Sequence, residues 1–172
     1  MHDLRTPLAT VFGFARTMQR AVELEPPLSR YVEMIIAASE QMTELLEQFG
    51  LAARIAGERY EPVLVDVDTL DLARGAVEDA DGTGTTITTD APTVQRALGS
   101  LAECARKHGG VDAVAVTVDG NELTLTPITA RAAPVIVGEE LKDMGAAVAV
   151  LALRALGGSV ELAGEELRIR LA

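Results

Sequence analysis

The chain has 172 residues and sets 15 Lys and Arg against 26 Asp and Glu, a formal charge of −11. That acidic balance excludes the basic face a nucleic-acid binder needs, and 48% apolar residues exclude wholesale disorder. A single cysteine excludes a disulfide scaffold or multi-cysteine zinc site, and 3% aromatic residues supply no stacking platform for bases or sugars.

The first fifty-odd residues read as two helices. In the first, Leu4, Leu8, Val11, Ala15, Met18 and Val22 are spaced alternately by four and three. In the second, Leu28, Val32, Ile35, Ser39, Met42, Leu46 and Phe49 follow the same rule. This is a heptad seam. Glu25-Pro26-Pro27 divides the helices, since proline stops the first and suits the first turn of the second. An antiparallel hairpin of this kind leaves its stripe half exposed. The pattern therefore predicts a homodimer whose two hairpins form a four-helix bundle. The alternative is a stripe packed on the chain's own second half. The joint falls near 50–60, giving a helical hairpin over 1–56 and a second domain over 60–172.

The second domain alternates short strands and helices. An apolar run at 62–67 precedes Asp68, which can cap a helix over 69–78. Asp81-Gly82-Thr83-Gly84 reads as a loop and 85–89 as a β-branched strand. Asp90-Ala91-Pro92 opens a helix running to His108 and ended by Gly109-Gly110. Hairpins are expected over 111–118 with 122–126 and over 160–162 with 167–171, and a helix over 139–156. The fold class is α+β: a helical hairpin followed by a small α/β sandwich. The longest uncharged apolar run, 144–153, is about half of what spans a bilayer. With no charged-then-apolar signal segment at the start, the expectation is a cytoplasmic location without membrane contact.

His2-Asp3-Leu4-Arg5-Thr6-Pro7-Leu8 is the strongest local signal. His2 lies about 160° round the helix from the seam residue Leu4, so its side chain is expected to face away from the bundle core. Thr6, Ala9 and Gly13 continue its stripe with small or polar residues, which let another protein approach closely. A solvated face with a chance histidine is the competing account.

These seven residues resemble the H-box of bacterial two-component sensor histidine kinases, position for position, and Gly13-Phe14 fits the Gly-aromatic pair that often follows. Met42-Thr43-Glu44-Leu45-Leu46 resembles that family's second dimerisation helix. The resemblance implies that His2 is the phosphoacceptor, that Asp3 is its base or orienting group, and that Thr6 positions water when a partner's phosphoaspartate is hydrolysed. Arg5 touches a phosphoryl group or is simply a solvated charge. In the second domain the resemblance is to the family's ATP-binding domain with its nucleotide motifs degraded. Ser100-Leu101-Ala102-Glu103-Cys104-Ala105-Arg106-Lys107-His108 matches the N-box, with Cys104 where the magnesium-holding asparagine should stand. Thr126-Pro127-Ile128-Thr129-Ala130-Arg131 lacks the adenine-reading Asp and its glycines. Leu141-Lys142-Asp143-Met144-Gly145-Ala146 retains one glycine of the phosphate loop and adds an acid. The 127–139 stretch is short for an ATP lid.

The function this implies is a histidine phosphotransferase, exchanging phosphoryl groups between His2 and aspartates of response-regulator receiver domains. No cofactor is expected on the chain itself, with Mg²⁺ only on the receiver. Phe12 and Phe14 are candidate docking anchors. The alternatives are an active sensor kinase with a divergent ATP site and a non-catalytic pseudokinase that sequesters a partner. Cys104 reads as a buried small residue and His108 as a helix cap, and no carboxylate-rich metal cluster is visible. A phosphoacceptor directly after Met1 is most simply a piece of a longer protein.

Overall fold

The computed structural model describes residues 2–21 and 24–172, the side chains of His2, Asp3 and Ala21 excepted. The chain divides into two compact units, Met1–Gly50 and Leu51–Ala172.

The first unit is a hairpin of α1 (His2–Ala21) and most of α2 (Leu28–Ala56). Leu8, Ala15, Val32 and Ile36 are buried, with Phe12 and Leu24 packed at the margin. Arg16 ties the helices, its Nη2 lying 2.8 Å from Glu40 Oε1 while its guanidinium sits 5.2 Å above the Phe12 ring. Two helices can bury only one stripe each against the other. Part of the heptad seam is therefore left outside: Leu4, Val11, Ile35, Met42 and Phe49 are all exposed and line one apolar groove with Leu8. Val22, the last seam residue of the first helix, lies outside the described residues.

The second unit contains a two-stranded antiparallel ribbon of β1 (Val65–Asp68) with β3 (Thr86–Thr89). Its main sheet has the order β2-β4-β5-β7-β6, from β2 (Ala80–Gly84), β4 (Ala115–Gly120), β5 (Glu122–Thr126), β6 (Ser159–Ala163) and β7 (Glu166–Arg170). Only β2 and β4 run parallel; the other pairs are antiparallel. Alternate residues Val116, Val118, Leu123, Leu125, Leu167 and Ile169 are buried, the period of a sheet covered on one face. The cover comes from α3 (Thr69–Arg74), α4 (Ala91–Gly109), the short α5 (Ala133–Ile136) and α6 (Met144–Ala155), whose Leu72, Leu98, Leu101, Ile136 and Leu153 complete the core. Leu51, near the end of α2, packs in this unit against Val148 and Ala152.

Three sequence expectations are corrected. The 81–84 loop is strand β2, because glycine is needed for close approach and not for a turn: at Gly82 (φ 124°) a Cβ would collide with the backbone of Val118, its partner on β4. The helix over 69–78 stops at Arg74, where Gly75 caps it and a Cβ would run into Gln95. The helix over 139–156 begins only at Met144, capped by Asp143. The residues before it include the unanticipated α5, whose Val135 and Ile136 are buried beside Ile128 and Ala132. Among the described residues no helix is long and apolar enough to cross a membrane.

Candidate functional site

His2 opens α1. The expected direction of its side chain, and that of Asp3, lie outside the described residues. Pro7 lacks the N–H that would bond the carbonyl of residue 3, which sets the first turn apart from the rest of the helix. Thr6, Ala9 and Gly13 are exposed, and a Cβ on Gly13 would meet nothing within 4 Å. The small-residue stripe is thus open to a partner. The Thr10 hydroxyl donates to the Thr6 carbonyl at 3.0 Å. Beside the stripe a shallow groove runs between the helices, floored by Leu8 and Phe12. It is edged by Arg5 on α1 and by Glu40, Glu44 and Glu47 on α2. Phe14 is 68% exposed, whereas Phe12 is half-buried under Arg16. The sequence reading missed the acidic rim, although the i, i+4, i+7 spacing of its glutamates places them on one helical face.

In the second unit the residues matched to nucleotide motifs meet where α4 ends and α6 begins. Asp143 Oδ1 accepts from Ala146 N at 3.0 Å, so one of the otherwise free N–H groups at the start of α6 is capped by the chain's own carboxylate. Asp143 Oδ2 lies 3.2 Å from His108 Nε2 and 3.6 Å from Lys107 Nζ. Cys104, one turn before His108, is fully buried. Burial first, then the Asp143 charge, push its thiol up to about 12, with Lys107 opposing. The sulfur of Cys104, a ring nitrogen of His108 and a carboxylate oxygen of Asp143 all lie within 4.8 Å of one another. In the sequence Cys104 reads as a buried small residue and His108 as a helix cap, with nothing to join them, and Asp143 stands 35 residues after His108. Above them α5 packs against α4 and α6, and Thr129 Oγ1 donates to Gly109 O at 3.4 Å. The segment expected to be a shortened lid is thus built into the core.

A hairpin whose first helix opens with a histidine, followed by this sheet under its helices, defines a class. Residues 1–58 match the His Kinase A (phospho-acceptor) domain. The sensor-like histidine kinase SenX3 of Mycolicibacterium smegmatis is 26% identical over 131 residues, 73% of this chain and 34% of its own length. The sensor histidine kinase TrcS of Mycobacterium tuberculosis is 37% identical over 81 residues, 46% of this chain and 16% of its own. Full-length ShkA, solved in complex with AMPPNP, superposes with a TM-score of 0.72 at 21% identity, over 99% of this chain and 45% of that one. The histidine kinase AdeS of Acinetobacter baumannii gives 0.63 at 15% identity, covering 100% and 98%. Residues 1–58 thus carry a His Kinase A phospho-acceptor domain, and the chain is similar to sensor histidine kinases of two-component systems. It spans about a third or less of the curated relatives' length.

Proposed function

We propose that the chain is a histidine phosphotransferase, exchanging a phosphoryl group between His2 and the aspartates of response-regulator receiver domains without drawing on ATP. One observation carries the second half of that statement: the Asp143 carboxylate caps the N-terminus of α6, where phosphates of a bound nucleotide would need the N–H groups. The carboxylate oxygen already takes the Ala146 N–H that a phosphate would compete for. The neighbouring donors, a thiol and an imidazole, are soft ligands ill-suited to Mg²⁺, which prefers oxygen. Mg·ATP therefore does not fit these residues, and no step of the mechanism runs through it.

The transfer asks for one nucleophile. The lone pair of a neutral His2 imidazole attacks the phosphorus of a receiver's aspartyl phosphate. The new P–N bond forms as the P–O bond to the aspartate breaks, and the aspartate leaves as a carboxylate. Asp3 holds the proton on the other ring nitrogen, and Thr6 positions water for hydrolysis. Magnesium belongs to the receiver. The open stripe and the groove edged by Glu40, Glu44 and Glu47 favour a receiver that presents apolar contacts ringed by basic side chains. A second copy of the hairpin covers the apolar groove on the other flank, giving a four-helix bundle.

The specific observations favouring an active kinase instead are the names of the relatives, sensor or sensor-like histidine kinases, and the AMPPNP in ShkA. Titrating the chain with a fluorescent ATP analogue in millimolar Mg²⁺ separates the two. The phosphotransferase reading expects no saturable binding up to millimolar analogue; micromolar binding supports the kinase.

A further inference from the structure

The meeting point of α4 and α6 holds a mixed sulfur, nitrogen and oxygen set that nothing in His2 chemistry uses. We propose that Cys104 Sγ, His108 Nε2 and Asp143 Oδ2 form a binding site for a thiophilic divalent cation of the zinc type, clamping the end of α4 to the start of α6. Three features support it. Cys104 and His108 are four apart on one helix, which stacks their side chains on one face. The two oxygens of Asp143 are divided, Oδ1 capping Ala146 N and Oδ2 turned to His108 at 3.2 Å. That separation is close to the edge of about 3.3 Å between N and O ligands of a tetrahedral zinc ion with bonds of about 2.0 Å. The Cys104 sulfur, a ring nitrogen of His108 and a carboxylate oxygen of Asp143 lie within 4.8 Å of one another, so the sulfur need close by little more than about an ångström.

The charges balance. Thiolate and carboxylate neutralise a dication, the imidazole stays neutral, and the thiol proton passes to water as the metal–sulfur bond forms. Lys107, whose Nζ lies 3.6 Å from Asp143 Oδ2, is the competitor; its side chain is 59% exposed and free to swing away. His108 and Asp143 are 19% and 14% exposed at their side chains, so the ion enters from their side and meets the buried sulfur last. Three protein ligands leave a fourth position for water.

The test uses the full chain with Co²⁺ as probe. The expected result is one Co²⁺ per chain with a thiolate-to-cobalt charge-transfer band. Stoichiometric Zn²⁺ should displace it and a large excess of Mg²⁺ should not. Cys104→Ser should lose the band and weaken Zn²⁺ binding by about 100-fold or more, beyond what losing an outer-shell partner costs. His108→Asn, at a partly exposed helix end, gives the same readout if Cys104→Ser fails to fold. His2→Ala, which removes the other histidine, should bind as the parent does. Absence of a thiolate band, unchanged Zn²⁺ affinity in the His108 variant, or loss of binding in His2→Ala would each overturn the site.

Discussion

Asp90 shows how one side chain can secure several elements. Its Oδ1 accepts from Thr93 N at 3.1 Å, capping α4, while Oδ2 accepts from Tyr60 Oη at 2.9 Å and Val63 N at 3.2 Å. Burial works to raise its pKa, but the hydrogen bonds from Tyr60, Thr93 and Val63 outweigh it and hold the carboxyl below its ordinary 3.8. A group lowered in the folded state stabilises the protein above its unfolded pKa. That stability disappears as pH falls through the folded value. Stability should therefore decline below about pH 4 in part through Asp90. Asp90→Asn should flatten that decline in urea midpoints between pH 4 and 2. Asp90→Ala, which leaves Tyr60 Oη and two backbone N–H groups to find other partners, should cost about 2 kcal/mol at neutral pH. Asp90 was legible in the sequence as a cap, since Asp-Ala-Pro opens a helix. Its reach to Tyr60 and Val63 was not, because those bonds join residues 30 and 27 positions apart.

At the scale of elements, the departures from the sequence reading have one physical cause: local composition yields to what the neighbouring strand or helix requires. Asp81-Gly82-Thr83-Gly84 has turn chemistry by every local rule, yet it is the strand paired parallel to β4. Ladder hydrogen bonds fix its course, and the glycines let it lie against Val118 and the Asp68 carboxylate. Gly82→Ala should accordingly destabilise the second unit by about 3 kcal/mol, near the upper end of ordinary point substitutions. Gly164→Ala is the control. That residue also has positive φ, but its Cβ would meet nothing within 4 Å, so it should cost about 1 kcal/mol. Chemical denaturation of both variants checks the ordering. Elements carried by strong periodicity and caps, such as α2 and α4, were legible; the β4–β5 hairpin was legible as a hairpin, but its first strand, expected over 111–118, runs from Ala115 to Gly120. The short α5 was not, because four residues carry no period and its place is set by burial against α4 and α6.

At the scale of the whole molecule, the heptad seam divides its work. Leu8, Ala15 and Val32 hold the hairpin together, while Leu4, Val11, Ile35, Met42 and Phe49 face outward as one apolar groove. Exposed contiguous apolar surface of this kind calls for a cover. We expect a dimer in sedimentation velocity, and a monomer for Ile35→Asp combined with Met42→Asp, since each buried, unpaired charge would cost about 3 kcal/mol or more. A parent chain that sediments as a monomer would remove the four-helix bundle. The phosphoacceptor motif was readable because its chemistry is packed into seven consecutive residues. The capped N-terminus of α6 and the Cys104–His108–Asp143 set were not, because they come from elements that only folding brings together. The most direct measurement is to incubate the chain separately with Mg·[γ-³²P]ATP and with a ³²P-phosphorylated receiver domain, then follow acid-labile label, with His2→Ala beside each. The account predicts label from the receiver alone, lost in His2→Ala; label acquired from ATP, or label from the receiver that survives His2→Ala, would contradict it.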